Sequence, residues 1–269
     1  MTDNHVLLQE EASQLAQQLF NNDTKKRASL TNRLLDTCIR AKGKDFLLIH
    51  NPGGFGGTPV EHLLRWERSI IEGITATVER LGYSYLLTQY FRSGYSWWSH
   101  MRDLKEQIIF FFKGKSSKER VMAAELKFIV RHLQNLKVIL IGASQGAAFS
   151  NAVMRQLGEL GQIYSIELGI CYPHVFRRVV TESTLVIDSN GLMPDLMIRR
   201  NLKARFKALI TALFRWSKYR LQGKAAKFTH LINLPGHEYS WEHPEVQRQI
   251  IDFLETNFGT KSNLKVGVP

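Results

Sequence analysis

A chain of 269 residues, 44% hydrophobic and 22% charged, is long enough to bury one large core. It has no run of about 18 apolar residues to span a bilayer, and residues 1–10 lack the basic-then-apolar order of a secretory signal. Its two cysteines, Cys38 and Cys171, are too few for a disulfide framework. The expected location is cytoplasmic or at the periphery of a membrane, although the cysteine usage fits a reducing compartment and a processed chain equally well. The net charge of +12 is the unusual number.

Residues 5–41 carry two helical patterns. Leu7, Leu8, Ala12, Leu15, Ala16 and Leu19 recur at helical spacing, and so do Leu30, Leu34, Leu35 and Ile39, with Asn21-Asn22-Asp23 between them as a stop and cap. Phe46-Leu47-Leu48-Ile49-His50 reads as a buried strand. It runs into a glycine-rich turn, Asn51-Pro52-Gly53-Gly54-Phe55-Gly56-Gly57. Thr58 and Pro59 are expected to cap and open a helix reaching about Leu81. A second strand is expected over 83–91 and helices over 97–113 and 116–135, the latter opened by a capping box of Ser116 and Glu119.

The apolar run Val138-Ile139-Leu140-Ile141 then enters Gly142-Ala143-Ser144-Gln145-Gly146, followed by the small stretch Ala147-Ala148-Phe149. This is strand, tight turn and helix with a serine at the apex. Such a turn forces the central residue into a strained backbone and needs small neighbours on both sides. Further strands are expected over 163–171, 185–187 and 229–233, and an amphipathic helix over 244–258 with Val246, Ile250, Phe253 and Leu254 inward. Strands alternating with helices imply an α/β fold: a mostly parallel sheet of about six strands, covered on both faces.

The Gly-x-Ser-x-Gly turn between strand and helix resembles the nucleophile elbow of the α/β-hydrolase family. The resemblance covers residues 46–258 in layout and implies a hydrolase domain over 46–260. A helical N-terminal appendage over 1–45 and a tail over 261–269 would flank it. It implies a serine hydrolase of carboxylesterase, lipase or thioesterase type that needs no cofactor and no metal. A serine hydroxyl needs a general base, and that base needs an orienting carboxylate. Ser144 would be the nucleophile and His237, in Leu234-Pro235-Gly236-His237, the base. The acid would be Asp195, in Gly191-Leu192-Met193-Pro194-Asp195, or Asp188, where the fifth strand stops. The oxyanion would be held by the amide of Gln145 and one from the turn after His50. Pro52 has no N–H to give, so Gly53, Gly54 or Phe55 must supply it. Only about a dozen residues separate the fourth and fifth strands, so no large cap fits there.

Residues 196–228 contain ten Lys and Arg and no Asp or Glu, which localises most of the excess charge. Leu202, Phe206, Leu209, Ile210 and Leu213 fall on one helical face, and Trp216 and Tyr219 follow. A basic amphipathic helix of this kind suits an anionic membrane surface or an acidic ligand, with Arg199, Arg200, Lys203, Lys207, Arg215 and Lys218 as contacts. It equally suits an ordinary helix on the sheet, or a lid over an acyl chain. The aromatic clusters Tyr95-Ser96-Trp97-Trp98 and Phe110-Phe111-Phe112 read as core.

Two other classes compete. One is a non-catalytic protein of hydrolase shape that holds anionic lipid or, less readily in the absence of a nucleic-acid motif, nucleic acid. The other is a dinucleotide-binding oxidoreductase, because the loop after Ile141 is glycine-rich. Against it, Ala148 stands where the last glycine belongs and no Tyr-x-x-x-Lys pair exists.

Overall fold

A computed structural model describes residues 2–54, 56–92, 106, 109–110, 114, 116–158, 160–198, 202–222 and 235–261. Two helices come first, α1 (Thr2–Phe20) and α2 (Thr24–Ala41). Asp23 caps the second by accepting from the Lys26 amide at 3.0 Å. There follow β1 (Phe46–Asn51), α3 (Arg65–Arg80), β2 (Tyr85–Gln89), α4 (Ser117–His132) and β3 (Lys137–Ala143). The described elements end with α5 (Gln145–Leu157), β4 (Ile163–Leu168), β5 (Thr184–Ile187), α6 (Leu202–Leu221) and α7 (Pro244–Phe258). The strand expected over 229–233 lies outside the described residues, as do Tyr95-Ser96-Trp97-Trp98, Phe111, Phe112 and most of 97–113.

The five strands form one sheet in the order β2-β1-β3-β4-β5, every neighbouring pair parallel. Parallel strands need crossovers, and the helices between them supply these. Side chains alternate along each strand, so two cores form. Leu47, Ile49, Val138 and Leu140 face α1, α2, α4 and α5. Phe46, Leu48, Ile139, Ile141, Ile166 and Ile187 face α3 and α7. Val246, Ile250 and Leu254 of α7 are fully buried there, while Phe253 is only partly so. Phe110 also belongs to a core, stacked 4.8 Å from His174. The buried Glu125 carboxylate of α4 receives Arg33 of α2 and so ties the N-terminal helices to the sheet layer. The capping box of α4 forms, with the Ser116 amide and hydroxyl both on Glu119.

The strands expected over 83–91 and 163–171 and the helix expected over 116–135 are each shorter, at Tyr85–Gln89, Ile163–Leu168 and Ser117–His132, and the start of α3 differs most. Pro59 precedes only a short turn, Val60–His62, and the long helix α3 starts at Arg65. Leu63 and Leu64 are extended between them, which lets the apolar Leu63 turn inward. The later start sets Glu67 in the first turn of α3, where it is buried beneath the glycine-rich loop. No helix among the described residues is long and apolar enough to cross a membrane.

The chain leaves β1 toward one edge of the sheet and β3 toward the other. α3 covers one face and α5 the opposite one. The switch in strand order therefore falls at the C-terminal ends of β1 and β3, the usual ligand position in open α/β sheets.

Candidate active site

Ser144 stands between β3 and α5 with φ 54° and ψ −113°, the sole non-glycine residue with positive φ among those described. Strain of this size persists only where the surroundings dictate it, and they do so here. A side chain at Gly142 would meet the Ala147 backbone at 2.7 Å. One at Gly146 would meet the Asn51 carbonyl oxygen at 2.0 Å. The two glycines thus let α5 close onto the ends of β3 and β1. The Ser144 amide donates to the Leu168 carbonyl of β4 at 2.8 Å, and Ser144 itself is almost buried.

The glycine-rich loop after β1 packs directly on this turn, so that a Cβ at Gly53 would lie 3.8 Å from Ser144 Cβ. The Gly53 amide, one of the three expected to face a reacting oxygen, donates instead to Glu67 Oε1 at 2.9 Å. The same carboxylate oxygen lies 3.1 Å from His50 Nε2. A buried carboxylate is a strong acceptor, which accounts for the diversion. Gly54 differs. The Gly53 carbonyl accepts from the Gly56 amide at 3.2 Å, and in a planar trans peptide the Gly54 N–H points the other way. It has no acceptor among the described residues. Phe55 lies outside them. Gln145 opens α5, so its amide belongs to the electropositive end of the helix.

Arg92, three residues past β2, is fully buried and was not singled out from the sequence. Its guanidinium donates to the carbonyls of Pro52, Gly54 (3.0 Å) and Gln145 (3.4 Å), and sits over the Phe149 ring at 5.5 Å. Burial pulls its pKa down to about 10, so it remains a cation at neutral pH. One side chain thus ties the glycine-rich loop to the turn carrying Ser144. Gly56 makes room for it, since a Cβ there would lie 2.4 Å from Arg92 Nε.

His237 and Asp195 meet. His237 Nδ1 lies 2.7 Å from Asp195 Oδ2, and that oxygen also accepts from the Tyr239 hydroxyl at 2.5 Å. The other oxygen accepts from the Met197 amide at 2.6 Å. Asp195 is almost completely buried, whereas His237 is partly exposed. Because a carboxylate only accepts, Nδ1 carries a proton, and in the neutral imidazole the lone pair is then on Nε2. Burial, then the charge of Asp195, pushes the Tyr239 phenol well above its ordinary pKa, so it stays a donor. Asp188 takes no part, because Arg178 holds it with two bonds of 2.6 and 2.8 Å.

The His237 segment is fixed by three close approaches. Gly236 (φ 81°) presses on the Pro194 carbonyl, and Gly169 leaves room for Tyr239 and Asp195 Oδ2. The Trp241 ring lies against Gly73 of α3. Gly169 directly follows Leu168, whose carbonyl holds Ser144, so the His237–Asp195 pair sits at the strand end next to the serine. No hydrogen bond joins Ser144 Oγ to His237.

Glu67, Arg92 and Tyr239 are the residues that sequence reasoning missed. The available signal for Arg92 was a lone cation three residues past the strand Tyr85–Gln89, where the chain leaves the sheet at its C-terminal edge. Among the described residues no group of His, Cys, Asp and Glu is arranged to hold a metal ion. Arg215 and Lys218, from the basic segment, lie exposed on α6, while Arg199 and Arg200 are outside the described residues. The helix α6 includes Lys203 and Lys207. No protein-family model matches this chain, and no curated protein matches it.

Proposed function

We propose that this protein is a serine hydrolase with an α/β-hydrolase arrangement, cleaving a carboxylic ester or thioester through an acyl-enzyme. The observation that carries the reading is the strained Ser144 at the sheet's switch point, one strand away from a bonded His237–Asp195 pair. Sheet order alone does not decide function, since this order hosts several chemistries. A dinucleotide-binding reading is weakened because the glycine-rich loop in question follows the third strand and its centre is the strained serine rather than a glycine.

In this mechanism Ser144 Oγ rotates toward His237 Nε2 and attacks the substrate carbonyl as its proton passes to the imidazole. Asp195 keeps Nδ1 protonated and stabilises the imidazolium, and Tyr239 and the Met197 amide hold Asp195 in place. The negative charge on the carbonyl oxygen is met by the amides of Gln145 and Gly54. His237 then returns the proton to the departing alcohol or thiol. Water, deprotonated by the same nitrogen, releases the acid and regenerates Ser144. The helices α1 and α2 form the N-terminal appendage to this domain in the proposal, and residues 229–233 its sixth strand.

Turnover of p-nitrophenyl esters and acyl thioesters tests it. Ser144→Ala should abolish turnover. Asp195→Asn should lower it by about 10³- to 10⁴-fold, because the imidazole loses its correct tautomer. Asp188→Asn should stay within about threefold of the parent. Hydrolysis that survives Ser144→Ala would remove the proposal.

A further inference from the structure

Among the described side chains of α6, those at 210–212, 214–219 and 221, a half-buried side and an exposed side separate. Ala212 is buried, and Trp216 and Tyr219 are half-buried at the spacing of one helical face. On the opposite face Ile210, Phe214 and Leu221 are 41%, 74% and 90% exposed. At 3.6 residues per turn these three fall within one narrow stripe. Lys218 borders the stripe and Arg215 lies on the same flank, nearer Tyr219, and both are exposed. An exposed aromatic and two exposed aliphatic residues aligned on a helix mark a contact surface rather than chance.

The charge identifies the partner. The segment 196–228 carries ten Lys and Arg and no Asp or Glu. A second copy of this chain would bring two such segments together, and like charges would oppose the contact. Nucleic acid would use the cations but has no use for Ile210 and Leu221, because its bases stack on aromatic rings. A bilayer with anionic headgroups uses both: the stripe enters the headgroup–acyl boundary and the cations meet lipid phosphates.

We propose that α6 docks this protein on an anionic lipid surface, with Ile210, Phe214 and Leu221 inserted and Arg215 and Lys218 on the headgroups. The docking does not depend on catalysis.

The test is co-sedimentation of the full chain with vesicles of phosphatidylcholine containing about a third phosphatidylserine, against phosphatidylcholine alone. Binding should need the anionic lipid and weaken as salt rises. Phe214→Ser should reduce it by roughly tenfold or more, and Arg215→Gln and Lys218→Gln by about fivefold each. Unchanged circular dichroism should accompany all three, since these side chains are exposed. Ser144→Ala should bind as the parent does, which separates this proposal from the hydrolase reading. Several results would overturn it: equal affinity for the two vesicle types, binding to neither, or binding indifferent to Phe214→Ser. So would a dimer in light scattering that Phe214→Ser dissolves, or tighter binding to an oligonucleotide than to anionic vesicles at the same salt.

Discussion

Phe149 of α5 and Phe214 of α6 could hardly be placed more differently. Phe149 of α5 is 1% exposed, stacked on Tyr90 at 5.5 Å and edge-on to Phe110 at 6.1 Å. Phe214 of α6 is 74% exposed. Nearly all of α5 is buried, so its position is dictated by packing, and packing is what holds Ser144 in a backbone conformation it would not otherwise adopt. Of the described side chains of α6, only Ala212 is buried. The exposed side of α6 is therefore available for an external surface.

The widest contrast in stability follows from the two aromatic rings. Phe149→Ala should cost about 4 kcal/mol, from lost transfer energy and a cavity that the sheet cannot collapse into, measured by chemical denaturation. Next comes Arg92→Met. It leaves the carbonyls of Pro52, Gly54 and Gln145 without their shared donor, and about 2–3 kcal/mol of stability should go with it. If Arg92 positions the two amides proposed for the oxyanion, kcat should drop about 10²-fold with KM nearly unchanged. Arg92→Lys should recover part of this, because it keeps the charge but spans fewer carbonyls. A variant that loses stability and keeps kcat would reduce Arg92 to a structural residue.

A smaller effect is expected beneath α5. Glu167 of β4 is wholly buried, with Asn151 of α5 3.1 Å from both carboxylate oxygens and Ser165 3.1 Å from one. Burial pushes its pKa from 4.5 up to about 7. Between these values the folded protein keeps a proton that the unfolded chain has released. Stability should therefore fall as pH rises through that window and stay lower above it. Glu167→Gln should stabilise the fold by about 2 kcal/mol near pH 8 and by almost nothing below about pH 4. Equal effects at both pH values would contradict the assignment. Phe214→Ala, the smallest of the set, should shift stability by no more than about 0.5 kcal/mol.

The same contrast explains which features were readable from the sequence. The strands β1 and β3, the capping box of α4 and the inward face of α7 rest on local patterns, and local patterns are what a sequence displays. The elbow was readable because Gly142, Ser144 and Gly146 must all be small or special within five residues. Which aspartate meets His237 was not readable. That choice turns on Arg178, which claims Asp188 from ten residues away, and on Tyr239 and the Met197 amide, which hold Asp195. The start of α3 was displaced because Thr58-Pro59 is a good local opening, while the burial of Leu63 and Glu67 is a tertiary matter. The sequence shows Arg92 only as a lone cation after a strand, and its role stayed hidden for the same reason, since its three acceptors come from two distant turns. For α6 the composition announced the charge, but only the structure separates the face of Trp216 and Tyr219 from the exposed stripe of Phe214.

Labelling with a fluorophosphonate, read by mass spectrometry of the modified peptide, bears most directly on the hydrolase reading. The probe needs a serine activated by a neighbouring imidazole. Modification should fall on Ser144 in the parent protein, vanish in Ser144→Ala and drop steeply in His237→Ala. A folded parent protein that leaves Ser144 unmodified, or a Ser144 label as strong in His237→Ala as in the parent, would contradict it.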